Sequence, residues 1–365
     1  MDDLIDLDAL KTSAAAMLAS ECSRETVLRH SEGPGGPLAP LWQTATELGW
    51  MALPVSEDHG GLSLGIDALA LIYTELGRMV APLPYLTTML VAQAIQLGGS
   101  EAQQADYLPR LASGTIATLT APLAVGKPEL HIAFDGDELI LSGQAAHLLD
   151  GRDADIILLL AMDDAGQPYR VIVNPQDNIM IDSKRLWDPA HSLASIPFNN
   201  MRLPRERGFA SDSRLEGELL VHASVGLAAE AVGGSEGILA MTIDYLKTRQ
   251  QFGKPIGSFQ ALKHRVADHQ TRVVAARALL KSAVAKATAL AEDRLPEASA
   301  AKALACSVYA ELARDSIQLH GGIGFTAEYA CHLYLKRAHL IANLFGDEGF
   351  HIRQSAKPHF VREAA

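Results

Sequence analysis

The hydrophobic period of this chain changes twice, and that limits the architectures open to it. Up to about residue 112, segments 41–48, 66–80 and 85–97 repeat apolar residues every three or four positions between Gly and Pro breaks, the pattern of helices with one buried face. From 114 to 212 the text shortens into runs at 132–134, 138–141, 155–162 and 169–173, separated by Asp-Gly, Ser-Gly and Gly-Gln turns. Such spacing predicts strands. After 213 come three long Ala- and Leu-rich amphipathic stretches, 215–246, 261–290 and 296–319, which predict a helical bundle. The expected fold class is mainly α with a central β domain, divided as 1–113, 114–212 and 213–365. At 365 residues the chain has ample material for a sizeable core, and no internal repeat is visible.

A net charge of −12 and a pI of about 5.5 exclude a nucleic-acid partner on electrostatic grounds, because no basic block can displace counterions from a phosphate backbone. Local clusters such as Lys336-Arg337 can still face an anionic substrate. The dense apolar runs, for example 156–161, fall far short of the roughly 20 residues that span a bilayer, so no membrane association is expected. The chain starts acidic, Met-Asp-Asp-Leu-Ile-Asp, where a leader would be basic. Three scattered cysteines, Cys22, Cys306 and Cys331, have no metal-ligand spacing, which suits a reducing cytoplasm.

Two motifs carry chemistry. Thr248-Arg-Gln-Gln-Phe-Gly-Lys-Pro-Ile-Gly-Ser-Phe-Gln260 offers a guanidinium, an aromatic ring and an amide, which suits a diphosphate and a purine. Some sixty residues on, Gln318-Leu-His-Gly-Gly-Ile-Gly-Phe325 presents side-chain-free backbone for close approach. Either alone is weak, since Arg-x-x-Phe-Gly is short and Gly-Gly-x-Gly often only caps a helix. His320 reads as a wall residue, and Thr326 as a cap for the next helix.

In this order and spacing the pair resembles the two flavin signatures of the acyl-CoA dehydrogenase family. The residues 47–55, 58–62 and 75–78 are similar to its first helical domain. The resemblance spans nearly the whole chain and implies an amino-terminal helical domain, a β-barrel-like middle domain and a carboxy-terminal four-helix bundle. It also implies FAD as cofactor, an acyl-CoA thioester as substrate and an electron-transferring flavoprotein as acceptor. Arg249, Phe252, Gln260, Gln318, Gly321 and Gly322 would contact FAD, with the first motif reaching into a neighbouring subunit's site.

Family chemistry removes an α proton with a Glu and passes the β hydrogen to flavin as hydride. The gap-free correspondence puts Phe345 at that Glu, in Asn343-Leu-Phe-Gly-Asp-Glu-Gly349, and Ala223 at the alternative position on the first helix of the carboxy-terminal domain. Neither accepts a proton. Asp347, Glu348 and Glu230 are the remaining acids, with Asp347 and Glu230 the two candidates for a displaced base. The family's Thr-Glu-Pro-x-Ala-Gly-Ser-Asp loop corresponds to Thr120-Ala-Pro-Leu-Ala-Val-Gly-Lys127, without the acid and the Ser-Asp pair. Its aromatic and hydroxyl residues are missing again at Ala145-Ala-His-Leu-Leu149.

Features serving the chain's own flavin ring are thus degraded, while those reaching toward a partner are kept. That asymmetry, with the helix His332-Leu-Tyr-Leu-Lys-Arg-Ala338, resembles the branch acting on steroid and other bulky acyl groups, built from two related chains as α2β2. Self-association, a flavin-dependent monooxygenase on the same fold and a non-enzymatic structural subunit are the competing readings.

Overall fold

The computed structural model describes residues 6–33 and 36–361, with side chains to 357. The acidic stretch through residue 5 lies outside the described residues. Helices α1 (Leu7–Glu21), α2 (Arg24–Glu32), α3 (Ala39–Glu47), α4 (Ile66–Met79), α5 (Tyr85–Gly98) and α6 (Glu101–Ala112) come first. Strands β1 (Ala117–Leu119), β2 (Glu129–Asp135), β3 (Glu138–Leu149), β4 (Ile156–Met162), β5 (Pro168–Val173), β6 (Asp182–Arg185), β7 (Ser192–Pro204) and β8 (Gly208–Ala210) follow. The chain then forms α7 (Ser213–Thr248), a hairpin of β9 (Gln250–Gln251) and β10 (Lys254–Pro255), α8 (Gln260–Thr288), α9 (Arg294–His320), α10 (Cys331–Asn343) and α11 (Glu348–Val361).

These elements gather into two compact units that interleave along the sequence. Among the described residues, one comprises 6–32, 66–81 and 224–361; the other comprises 33, 36–65 and 82–223.

The second unit is built on an eight-stranded sheet of order β6-β7-β3-β2-β4-β5-β8, with β1 added beside β4. Residues 156–161 are all buried, so β4 has no solvent face, which is why its sequence is a continuous apolar run rather than an alternation. Leu130, Ile132, Leu139, Leu141, Ile196 and Phe198 join it in one cluster. Helix α5 is buried nearly all round, and Thr88 ties it to β1 by accepting from the Ala117 amide at 3.1 Å. Ser100 and Gln103 close a reciprocal capping box at the start of α6.

In the first unit α9 is the central helix, packed against α8, α10 and α11. The first half of its buried stripe is rich in alanine, at 298, 301, 303 and 305, and the short side chains admit close neighbours. Helices α4 and α7 touch backbone to backbone where Gly77, Gly233 and Gly237 meet. Glu236 of α7 then pairs with both Arg78 and Arg277, tying α4 and α8 to the same point. No helix among the described residues is long and apolar enough to cross a membrane.

Candidate functional site

The two sequence motifs fall on the first unit, with Arg249, Phe252, Gln260, Gln318, Gly321 and Gly322 exposed. Arg249 ends α7; its backbone donates to Tyr245 and accepts from Ile256, while its guanidinium makes no hydrogen bond or salt bridge among the described residues. The hairpin that follows turns through Phe252 and Gly253, with φ of +53° and +77°. Two positive φ values match a type I′ turn, but a bulky residue rarely accepts one. Phe252 is nevertheless 90% exposed, set edge-on to Phe259 at a centroid distance of 6.1 Å. Gln260 opens α8 with its side chain in solvent.

Gln318 sits on the last turn of α9, in a groove of about 730 Å3 also lined by Arg265, His269, Arg272, Arg314 and Phe325. Arg265 lies about two turns or less along α8 from Gln260, so Gln318 faces the start of that helix. Asp315 pairs with Arg265 and His269, and Glu311 with Arg272, which offsets much of the groove's positive charge. Arg314 keeps its guanidinium unpaired among the described residues. Gly321 ends α9 at φ +63°, ψ −141°, a region essentially closed to other residues. Nothing lies within 4 Å of a Cβ built at Gly321 or Gly322, so this backbone is open to an approaching group.

His320 packs as a wall: it stacks on Tyr245 at 4.5 Å, donates from Nδ1 to the Ser316 carbonyl at 2.7 Å, and burial lowers its pKa. Thr326 does not cap α10, contrary to the sequence expectation. Ala330 occupies that cap, and the Thr326 hydroxyl instead donates to Ile323 and closes the glycine turn.

Phe345, which the sequence resemblance sets against the family Glu, is buried with φ +54°, followed by Gly346 at +103°. The loop is held by its carbonyls. Lys302, 1% exposed, donates to Leu344 O and Gly346 O at 2.5 Å each, and His351 Nε2 donates to Phe345 O at 3.0 Å. Burial pushes the Lys302 pKa down to about 8 and, with the Lys302 charge, the His351 pKa down to about 3. Asp347 caps α11 by accepting from the Phe350 amide at 2.7 Å. Glu230 is the counter-ion of the buried Arg337 guanidinium at 2.7 Å, and Ala223 is fully buried.

The loop from Thr120 belongs to the second unit and is bound inward by a buried ion pair. Arg170 donates to both oxygens of Glu216, at 2.9 and 2.7 Å, and to the Thr120 carbonyl at 2.9 Å. Glu216 also accepts from the Leu123 amide at 2.9 Å and the Ser211 hydroxyl at 2.6 Å, while the Thr120 hydroxyl accepts from the Leu160 amide at 2.6 Å. Neither Arg170, Glu216, Lys302 nor His351 is singled out by motif. The available signal was a charge inside an apolar stripe, as at Lys302 among Ala298, Ala301 and Ala305.

Comparison with known proteins gives this geometry a family. Residues 6–115 match the acyl-CoA dehydrogenase N-terminal domain and residues 215–359 the acyl-CoA dehydrogenase C-terminal domain. Acyl-CoA dehydrogenase IpdE2 of Mycobacterium tuberculosis is 31% identical over 337 residues, 92% of this chain and 91% of that protein. Among solved structures, a variant of the Tcur3481-Tcur3483 steroid ACAD is similar at 26% identity and a TM-score of 0.88, covering 98% of this chain and 99% of that one. The ChsE4-ChsE5 complex of Mycobacterium tuberculosis shares the fold at 22% identity and a TM-score of 0.88, over 100% and 99% of the two chains. The chain belongs to the acyl-CoA dehydrogenase family of oxidoreductases.

Proposed function

We propose that this chain is one component of a heteromeric, FAD-dependent acyl-CoA dehydrogenase that converts an acyl-CoA of the steroid or bulky class to its 2-enoyl-CoA, completing a partner's FAD site while lacking a base of its own. The observation that carries this reading is an asymmetry of exposure. Arg249, Gln260 and Gln318 stand on open surface with unpaired side-chain polar groups, beside the exposed Phe252, Gly321 and Gly322, whereas Leu123 N–H and Thr120 O are consumed inside the fold by Glu216 and Arg170.

The donor set suits the diphosphate and adenine half of FAD: a free guanidinium, two free amides and a backbone open at Gly321 and Gly322. The inward-bound loop at Thr120 does not suit the ring half. When bound, FAD would supply the hydride acceptor for the β hydrogen of the thioester. This chain's residues would hold its diphosphate end and order a partner's site, and proton removal at the α carbon would fall to the partner. Phe345 has no lone pair to take a proton, Glu230 is committed to Arg337, and Asp347 to the α11 cap.

Support for the two-chain assembly comes from the names of the similar structures, one of which is a complex of two chains and one a steroid enzyme. The test is to purify the chain alone and with its related partner, and to count flavin per chain. One flavin per two chains, lost in R249A, agrees with the proposal. Flavin in the lone chain, bleached by an acyl-CoA, refutes it.

A further inference from the structure

Between α9, α10 and α11 the first unit contains a second cavity, of about 270 Å3, with Lys302, Cys306, Ser307, Arg314, Glu348 and His351 on its wall. Its donors and acceptors can be assigned one by one. Of the three N–H bonds on the Lys302 ammonium, two go to the carbonyls of Leu344 and Gly346, leaving one. His351 Nε2 faces the Phe345 carbonyl, which only accepts, so Nε2 carries the hydrogen and Nδ1 holds a lone pair. That Nδ1 is buried and has no hydrogen-bond partner, in a residue with no exposed surface. The Ser307 hydroxyl and the Arg314 guanidinium are likewise without hydrogen bonds among the described residues. Glu311, also on the wall, is neutralised by Arg272, which leaves Glu348 as the one unpaired acid there against Lys302 and Arg314. Of the amides in the first turn of α11, those of Phe350 and His351 already donate to the Asp347 side chain and carbonyl, so the side chains on the wall are the groups that define the site.

The occupant must therefore accept from two cations and donate to an imidazole lone pair. A fully ionised oxyanion meets the first demand and fails the second. We propose that this cavity binds a phosphate group that retains one O–H, as inorganic phosphate or a small phosphomonoester, with Lys302, Arg314 and Ser307 on its oxygens and His351 Nδ1 accepting its proton-bearing oxygen. The cavity contains none of the proposed FAD contacts, although Arg314 lines both it and the groove that holds Gln318. Bound phosphate would tie α11 to α9 at the turn that carries Phe345.

Calorimetric titration of the full chain with inorganic phosphate, glycerol phosphate and sulfate at about pH 6, where phosphates still hold a proton, tests this directly. Saturable phosphate binding is expected, with sulfate at least about tenfold weaker for want of an O–H, and with R314A and S307A each weakening phosphate by about tenfold. Both variants sit at partly open positions and leave the Lys302 and His351 contacts to the loop in place. Glycerol phosphate binding as well as phosphate assigns the site to monoesters, and binding more weakly assigns it to the free ion. No saturable phosphate binding, or sulfate binding equally well, overturns the proposal and leaves a cavity filled by water. Binding lost in R249A but intact in S307A overturns it too, by placing the phosphate at the flavin contacts.

Discussion

Replacing Gly233 by Ala tests whether the first unit depends on direct backbone contact between α4 and α7. A Cβ at 233 would lie 1.8 Å from the Thr74 carbonyl oxygen, and contacts under 3.0 Å are essentially never seen. One helix must therefore retreat by at least 1.2 Å, the difference between those two distances. A rigid backbone carbonyl cannot rotate away as a flexible side chain would. A Cβ at Gly77 would likewise lie 2.1 Å from Glu230 O and one at Gly237 2.2 Å from Arg78 O, so the crossing is tight along its length. A gap of up to 1 Å already forfeits a quarter to a half of each dispersion contact, and Leu69, Ile72 and Leu76 would all feel it.

The cost should reach the upper end of the overpacking range, about 3 kcal/mol. Gly217→Ala, on the same helix but with nothing within 4 Å of its Cβ, is the control; removing a helical glycine there should stabilise by about 0.5–1 kcal/mol. Thermal unfolding followed by circular dichroism separates the two variants by sign. If Gly233→Ala melts at or above the wild type, the close crossing is not what holds α4 to α7, and the argument fails. The same retreat would pull Arg78 from Glu236, so salt sensitivity of the melt should fall with the Tm.

Four other outcomes follow from the same reasoning. Phe252→Asn relieves a positive φ and creates the Asn-Gly pair favoured in type I′ turns, so the lone chain should gain about 1 kcal/mol while the proposed assembly weakens; a melt and a mixing experiment check both halves. Glu216→Gln leaves Arg170 buried without its counter-charge and should cost about 3–5 kcal/mol, whereas Arg170→Met with Glu216→Leu should cost far less, and equal costs in denaturant titration would refute the ion-pair account. Burial holds His222 and His351 near a pKa of about 3, against an ordinary 6.5, so the unfolded chain binds more protons between those limits and stability falls as pH drops through them. By pH 5 each should forfeit about 2 kcal/mol, and His222→Gln should flatten the acid limb of the unfolding curve. Lys302→Met removes two charge-assisted bonds to the Phe345 turn and should raise amide exchange there, with α8 unaffected.

Long periodic elements were legible because their signal is local. The stretches read at 215–246, 261–290 and 296–319 appear as Ser213–Thr248, Gln260–Thr288 and Arg294–His320, within a few residues at each end. Strand β7 was not legible, although it is among the longest. It carries Pro197 and the Asn199-Asn200 pair, turn residues by composition, and Asn200 does take φ +50°. It survives as a strand because β3 and β6 pair with it from both sides, and the β3 partner accommodates the irregularity with two register shifts. That pairing is information held by other segments.

The same distinction separates the two halves of the candidate site. Arg249, Gln260 and Gln318 could be proposed from sequence because a guanidinium or amide has its chemistry in the side chain, and a motif reports side chains directly. Lys302 and Glu216 escaped notice because what they do depends on which backbone groups converge on them. The carbonyls bound by Lys302 come from 42 and 44 residues downstream, and the amide bound by Glu216 from 93 residues upstream. A sequence motif can thus register that Phe345 has no proton-accepting group, but not that the turn carrying it is still gripped at three consecutive carbonyls. If, as proposed, the turn has no part in catalysis, it has no chemical need for such a grip. Its retention points to a remaining structural load at this turn, and the phosphate cavity on the far side of Lys302's contacts is where that load should be sought.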